Sequence, residues 1–344
     1  MVELTIDEKK ISVAEGTTIL KAAEVAGIKI PTLCYHKRLN PIGSCRMCLV
    51  EVEGYANPMT ACNTPAVEGI TVCTNSERLL KIRRENLQLI LVNHPLDCPV
   101  CDAGGACELQ NIVYEFGIET AKYQAEKRNR STDYATPLIR YWPDRCIMCL
   151  RCIHACRNIT LGVLDVVETG FGTQISPVHK ERCTSCGECL RLCPTGALTE
   201  NLSRDKGRPW MADRVKTTCT YCGCGCQLEL NTAGNKILSV TSQDDVGTNQ
   251  GSLCVKGRFG YEFIGSDKRL KKPLIKKEGK FQEASWDEAL KLVAEKFTAI
   301  KAANGADAIA GLASARCTNE ENYLLQKFMR AVIGTNNIDH CARL

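Results

Sequence analysis

Two cysteine-rich runs in the middle of the chain share one spacing, and this duplication constrains the fold more than any other feature. In each run the cysteines are separated by two, two and three residues. Three cysteines on one short loop can bind three corners of a cubic four-iron cluster, whereas the fourth has entered the next element and serves the partner cluster. The first cube site is therefore Cys146, Cys149, Cys152 and Cys193. The second cube site is Cys183, Cys186, Cys189 and Cys156.

Zinc is the main alternative for a chain with so many cysteines. A zinc site needs four ligands and favours paired Cys-x-x-Cys knuckles, which the duplicated run of eight cysteines does not resemble. Pro194 follows the second run, but Arg157 follows the first. We therefore expect the turn after Cys156 to differ, while its role as a ligand is kept.

Composition limits the class of protein. The chain has 344 residues, enough for two or three domains, and 23 cysteines. Its first residues are acidic and short of apolar side chains, unlike a secretory signal, so we expect a reducing cytoplasm where cysteines are kept for metal. No apolar run is long enough to span a bilayer. The formal charge is +5, but no basic stripe with interleaved aromatic residues indicates nucleic-acid binding.

The first module is predicted to be a small β-grasp unit with a two-iron centre. Alternating residues predict strands over 2–6 and 10–13, and a helix over 18–26 is expected to end at Gly27. Gly43 and Ser44 suit a loop whose N–H groups turn toward sulfur. The spacing differs from that of plant-type two-iron proteins. The two-iron site is Cys34, Cys45, Cys48 and Cys62.

A second module follows a helix predicted over 77–93 and capped by Ser76. A lone histidine is more often a core or surface residue than a ligand, but His94 stands four residues ahead of a cysteine run. Gly104 and Gly105 give that run the positive φ angles it needs. The histidine site is His94, Cys98, Cys101 and Cys107.

A fourth group of cysteines lies beyond residue 212. Four of them, Cys219, Cys222, Cys226 and Cys254, are spaced by two, three and twenty-seven residues. Cys224 falls between these positions and is interpreted as a loop thiol that binds no iron. From Pro273 onward, capped helices and short strands indicate the start of a doubly wound α/β domain, with capping boxes at Ser285 and Thr318 and a buried strand over 308–312.

These patterns resemble two families. The two-iron and histidine patterns are similar to the large iron–sulfur subunit of respiratory NADH dehydrogenase, a resemblance that implies His94 as a cluster ligand. The spacing of Cys219, Cys222, Cys226 and Cys254 resembles the four-iron domain that opens molybdenum or tungsten bis-pterin oxidoreductases, formate dehydrogenases in particular. This set is called the pterin-side site. In that family a lysine two residues past the last cysteine lies between cluster and pterin, and Lys256 matches it.

The resemblance covers the whole chain and implies an α+β multidomain protein. The expected domains are a two-iron β-grasp ferredoxin at 1–76, a His/Cys four-iron domain at 77–118, a connector at 119–139, a double four-iron ferredoxin at 140–202, a four-iron pterin-oxidoreductase domain at 212–267 and an incomplete α/β catalytic domain at 268–344. The implied cofactors are one 2Fe-2S cluster, four 4Fe-4S clusters and a molybdenum or tungsten bis-pterin guanine dinucleotide.

The implied activity is that of the catalytic subunit of an NAD(P)-linked formate dehydrogenase, which interconverts formate and carbon dioxide. Electrons would pass from the pterin-side site to the double ferredoxin, the histidine site and the two-iron site. No nucleotide-binding glycine motif occurs, so NAD(P) is expected on a flavoprotein partner, with a small two-iron subunit or ferredoxin as a further partner. The alternative is a stand-alone electron-transfer subunit of an NADH dehydrogenase-like or hydrogenase-like complex.

Two rivals are separated by sequence features. The respiratory subunit keeps one cube where this chain has two full motifs, and an iron-only hydrogenase would continue into further cysteine motifs after Cys193.

Residues 336–344 resemble the approach to the catalytic residue of formate dehydrogenases, so no catalytic residue is assigned within the chain. We expect the gene product to continue directly after Leu344 with selenocysteine and then histidine.

The cysteine patterns predict a specific iron content. Anaerobically reconstituted protein is expected to bind about 18 iron atoms, from one two-iron and four four-iron centres. Iron and protein assays on the same sample measure this ratio. A colourless preparation in which zinc fills the sites would contradict the assignment of all five centres.

Overall fold

The computed structural model describes residues 1–125, 133–159, 161–203 and 207–341. The chain divides into two compact units, Met1–Ala212 and Asp213–Leu344. Both mix helices and strands. Residues 126–132 of the predicted connector and the C-terminal Leu344 lie outside the described residues. Among the described residues, no helix is both long and apolar enough to cross a membrane.

The first unit opens with a five-stranded mixed sheet in the order β2-β1-β5-β3-β4. Its elements are β1 (Val2–Ile6), β2 (Lys9–Val13), α1 (Ile19–Val25), β3 (Leu49–Val52), β4 (Met59–Thr60) and β5 (Thr71–Cys73). Asp7 and Glu8 join the first two strands, and both have positive φ, which matches the twist of a tight hairpin. Thr18 caps α1 through its side chain. Ile6, Ile19 and Val50 are buried together between helix and sheet.

Two helices follow the sheet in the first unit. The helix α2 (Glu77–Asn93) begins where it was predicted, because the Ser76 hydroxyl accepts a hydrogen bond from Leu79 N–H. The helix α3 (Glu108–Glu115) begins directly after Cys107. Leu87 and Leu91 of α2 pack with Leu109 and Ile112 of α3.

The rest of the first unit contains the duplicated motif. Its elements are β6 (Asp133–Thr136), β7 (Ile139–Tyr141), α4 (Arg151–Ile159), β8 (Leu164–Val167), β9 (Gln174–Pro177), α5 (Glu188–Arg191) and β10 (Leu198–Glu200). The strands form a β10-β7-β6 sheet and a β8-β9 hairpin. The helix α4 continues past Cys156 to Ile159, whereas α5 ends before Pro194. The two halves differ after the fourth cysteine as predicted, since proline cannot continue a helix.

The second unit contains a three-stranded antiparallel sheet, followed by an α/β part with two two-stranded sheets. Its elements are β11 (Asp213–Thr218), β12 (Gln227–Ala233), β13 (Lys236–Thr241), α6 (Val255–Phe259), β14 (Leu274–Lys277), β15 (Lys280–Glu283), α7 (Trp286–Asn304), β16 (Gly311–Ala313), α8 (Asn319–Lys327) and β17 (Ile338–His340). A π-helical turn, Phe328–Ile333, follows α8. The strands β16 and β17 pair in parallel.

Two predictions for the second unit are wrong in detail. The strand predicted over 308–312 is shifted to Gly311–Ala313, and Leu312 is 82% exposed rather than buried. At Ser285 only half of the predicted capping box forms, because the Glu288 carboxylate instead accepts from Lys277 at 2.7 Å. The capping box at Thr318 is complete.

The core between α1 and the five-stranded sheet predicts a stability effect. Ile6→Ala is expected to lower the local free energy of unfolding by about 2–5 kcal/mol, because the residue is fully buried and its neighbours cannot close the cavity. Hydrogen exchange of the β1 and β5 amides measures this loss. Val25→Ala is the control, since Val25 is exposed, and it should change protection by less than about 0.5 kcal/mol.

Candidate metal centres

The four cysteines of the two-iron site lie close together in the first unit. Cys45 N–H donates to Cys34 Sγ at 3.5 Å. The Cys45 thiol, together with N–H and hydroxyl groups of Ser44, lowers the pKa of Cys34 to about 5. Cys62 likewise lowers the pKa of Cys48 by donating to it. Sulfur atoms that collect backbone and hydroxyl donors are suited to bind iron as thiolates.

The histidine site is built from the end of α2 and the start of α3. His94 is the C-cap of α2 and is buried. Burial raises the pKa of Cys107 to about 11, although N–H groups of Gln110 and Leu109 oppose the shift. The charges of Cys101, from the same site, and of Cys193, from the first cube site, also raise it.

The first cube site surrounds one cavity. The cavity is lined by the four predicted cysteines and by Tyr141 and Pro194. Burial raises the pKa of Cys152 far above its ordinary value, and the charges of Cys149, Cys146 and Cys193 add to the effect. Burial and the charge of the Cys146 thiolate also raise the pKa of Tyr141, which lines the same cavity.

The second cube site surrounds another cavity, lined by its own four predicted cysteines with Gly187 and Glu188. Burial raises the pKa of Cys189, helped by Cys186, Cys156 and Cys183. Cys156 Sγ accepts from Val163 N–H at 3.1 Å. The fourth cysteine of each motif therefore lines the cavity of the other motif.

The two cube loops repeat the same backbone conformation. Met148 and Leu150 have positive φ in the first loop, and Ser185 and Gly187 have positive φ at the equivalent positions of the second. Left-handed residues at alternate positions turn consecutive N–H groups toward one point, a geometry that suits an anionic cluster. Met148 N–H donates to Cys146 Sγ at 3.4 Å.

The three residues that follow Cys193 pack against the histidine site. Pro194 O accepts from Glu108 N–H at 3.0 Å and from Cys107 Sγ at 3.5 Å. A Cβ atom added to Gly196 would lie 2.5 Å from Cys101 Sγ. Only glycine allows this segment to pass so close to the sulfur.

Two ion pairs link the histidine site to the first cube site, and no sequence pattern singled out their residues. Arg145 donates to Asp97 at 2.7 Å, and Arg151 donates to Glu108 at 2.7 Å. Each arginine and each acid is next to a predicted ligand in the chain. That adjacency was the available signal, since buried arginine is rare unless it is paired.

The pterin-side site occupies the β11–β12 loop and the start of α6 in the second unit. Cys219 N–H donates to Cys226 O at 2.8 Å. Burial and the charge of Cys254 raise the pKa of Cys219. Cys226 donates to Cys224 Sγ at 3.6 Å, so the predicted spare thiol touches a predicted ligand. Lys256 lies on α6, two residues after Cys254, and is exposed.

The donor sets fit iron–sulfur clusters. Each cube cavity presents four sulfur atoms on loops with inward N–H groups, and soft thiolate donors favour iron–sulfur chemistry. Within the described part of the chain, no group of three or more His, Cys, Asp or Glu side chains is arranged so that it could hold a single metal ion.

Five family models match successive segments of the chain. They are described as a 2Fe-2S iron-sulfur cluster binding domain at residues 1–77, an NADH-ubiquinone oxidoreductase-G iron-sulfur binding region at 83–122, a 4Fe-4S dicluster domain at 145–197, a molybdopterin oxidoreductase Fe4S4 domain at 212–266 and a molybdopterin oxidoreductase at 269–344.

Curated relatives match along nearly the whole chain. The NADPH-Fe(3+) oxidoreductase subunit alpha of Geobacter sulfurreducens is 48% identical over 100% of this chain and 40% of its own length. A G-type subunit of an NADH-quinone oxidoreductase from Rhizobium meliloti is 42% identical with the same coverage. A candidate formate dehydrogenase of Staphylococcus aureus is 34% identical over 99% of this chain and 39% of its own length. The chain thus spans about 40% of the relatives it matches.

A solved structure is similar as well. It is a crystal structure of an NAD+-reducing [NiFe]-hydrogenase, which matches with a TM-score of 0.56 and 29% identity over 60% of this chain and 91% of that chain.

The contact at Gly196 predicts a selective defect. Gly196→Ala is expected to displace Cys101 and remove about four of roughly 18 iron atoms, while the other clusters remain. Iron analysis and electron paramagnetic resonance measure the loss. Gly265→Ala is the matched control, because a Cβ there would meet no atom within 4 Å. Full iron content and an unchanged spectrum in Gly196→Ala would contradict the prediction.

The family matches and the cysteine sites agree along the chain. It combines segments that match 2Fe-2S and 4Fe-4S iron–sulfur domains with a segment that matches molybdopterin oxidoreductases.

Proposed function

We propose that this chain is part of the catalytic subunit of an NAD(P)-linked formate dehydrogenase and conducts electrons between a molybdenum or tungsten bis-pterin site and a partner. One observation carries the proposal. Cysteine sets for five clusters precede a segment that matches molybdopterin oxidoreductases, in one chain. A two-electron reaction at a pterin site needs one-electron carriers if its electrons are to leave one at a time.

The chain's own residues would hold and tune the carriers. The two-iron, histidine, cube and pterin-side sites would bind one 2Fe-2S and four 4Fe-4S clusters, which supply one-electron redox chemistry when bound. Buried cavity walls exclude water, and inward N–H groups stabilise the added negative charge. Neutral His94 in place of a thiolate would make its site less negative and raise its potential.

Lys256 is proposed to hold a positive charge between the pterin-side site and the pterin. Its position two residues after Cys254, at the start of α6, and its exposed side chain support this role. The proposed partners are a flavoprotein subunit that binds NAD(P) and a small two-iron subunit or ferredoxin. The names of the Geobacter and Rhizobium relatives and of the hydrogenase support a nicotinamide-linked complex. A cytoplasmic location is proposed with these partners.

A second candidate is an electron-transfer subunit of an NADPH-linked reductase of ferric iron. The 48% identity to the Geobacter protein, which carries that name, favours this candidate over the 34% identity to the candidate formate dehydrogenase. Both share the same series of clusters and differ in the direction of electron flow and in the final reactant.

Purified complex that contains this chain separates the two candidates. If the complex is a formate dehydrogenase, formate should reduce the clusters, seen as bleaching of visible absorption, and NAD+ or NADP+ should reoxidise them. Under the second, NADPH reduces the clusters and ferric citrate reoxidises them, while formate has no effect. Lys256→Met should slow reduction by formate but not by dithionite, and Lys236→Met, an exposed lysine of β13, is the control. Clusters that respond to neither formate nor a nicotinamide would exclude both candidates.

A further inference from the structure

Arg151 is a buried cation in the first cube motif. It directly precedes Cys152, and its side chain is 2% exposed. Nη1 donates to Glu108 Oε1 at 2.7 Å and Nη2 to Oε2 at 2.9 Å. The remaining guanidinium nitrogen, Nε, is buried and has no hydrogen-bond partner among the described residues. A buried charge with an unpaired nitrogen indicates that Arg151 serves more than its ion pair.

The charge of Arg151 acts on two predicted cluster sites. A guanidinium stays protonated in proteins, and Arg151 directly precedes Cys152 of the first cube site. Ile147 of the same loop and Cys45 of the two-iron site pack against one hydrophobic cluster. One cation therefore lies near both sites.

The second cube motif has the opposite charge at the equivalent position. Glu188 directly precedes Cys189 and is 1% exposed. It pairs with Arg191 of the same helix at 3.1 Å, and the arginine is itself only 10% exposed. In the first motif, by contrast, the partner Glu108 is half exposed. Water screens an exposed carboxylate more than a buried one. The first cube site therefore feels a net positive charge, and the second feels a buried pair that is nearly balanced.

We propose that Arg151 raises the reduction potential of the cluster in the first cube site above that of the cluster in the second cube site. The proposal rests on the proposed function, because both sites must hold clusters. Reduction adds one negative charge to a cluster, and a nearby cation stabilises the reduced form. An electron that reaches the pair of cubes would then reside mainly on the first one, beside the two-iron site.

Redox titration of the reconstituted chain tests the proposal. Signals are followed by electron paramagnetic resonance and assigned with Cys149→Ala and Cys186→Ala. Arg151→Met removes the cation and should lower the reduced-to-oxidised ratio of the first cube by about tenfold at a fixed potential, the size expected for a unit charge roughly 10 Å away at an effective dielectric constant of about 20. A tenfold change corresponds to about 59 mV for one electron.

The sign of the change in this ratio separates an effect of charge from an effect of structure. Glu108→Gln leaves the cation unbalanced and should raise the same ratio, while Arg151→Lys keeps the charge and should stay near wild type. The second cube should shift less in every variant. Lys122→Met is the matched control, because it removes a cation from the exposed ion pair with Glu85, and it should shift neither cube.

Each outcome decides the question. Shifts of the same sign in Arg151→Met and Glu108→Gln, or no shift, would overturn the inference while leaving the clusters in place. If Arg151→Met fails to bind its cluster, the comparison of Glu108→Gln with Arg151→Lys decides, and a ratio that does not rise in Glu108→Gln overturns it. Wild-type protein without four-iron signals would instead overturn the proposed function, and this inference with it.

Discussion

Burying many sulfur atoms in small volumes is the constraint on which the first unit depends. Burial alone raises the pKa of Cys149, Cys152 and Cys189, and neighbouring thiolates raise it further. Without compensation the thiolates would take up protons, because isolated buried charges are costly. Iron bound at these positions would supply positive charge, so cluster binding and folding are thermodynamically coupled. Backbone N–H groups turned inward by left-handed residues supply further compensation.

The same constraint explains why separate parts of the chain contact one another. The segment after Cys193 lies against Cys101 and Cys107, and two ion pairs, Asp97–Arg145 and Glu108–Arg151, join the same parts of the unit. An ion pair with one buried partner is a poor source of stability by itself. Its value here is positional, since it fixes two ligand-bearing loops against each other and sets the charge near both.

Much of this arrangement could be predicted from the sequence because it is local. The spacing of the duplicated run predicted which cysteines line each cavity, including the exchange of Cys156 and Cys193. Ser76 and Thr318 predicted helix starts, because a cap is a contact between residues three apart. The failures arose from contacts between distant residues. Glu288 was expected to complete a cap but pairs with Lys277. Leu312 was expected in a core but is exposed, because a local pattern does not reveal which face of a strand is covered. Arg151 and Glu108 are 43 residues apart, so their pairing was not visible in the sequence, although the adjacency of each to a cysteine was.

The exchange of the fourth cysteines has a consequence for biogenesis. Cys193 lines the cavity of the first motif, and Cys156 lines that of the second. During synthesis the first cube site leaves the ribosome with three of its four thiols, and it must wait for Cys193 before its cavity is complete. A scaffold that delivered a cluster before then would meet an open corner, exposed to oxygen and to exchange. Completion of the first site therefore depends on synthesis of the whole second motif, whose last cysteine closes it.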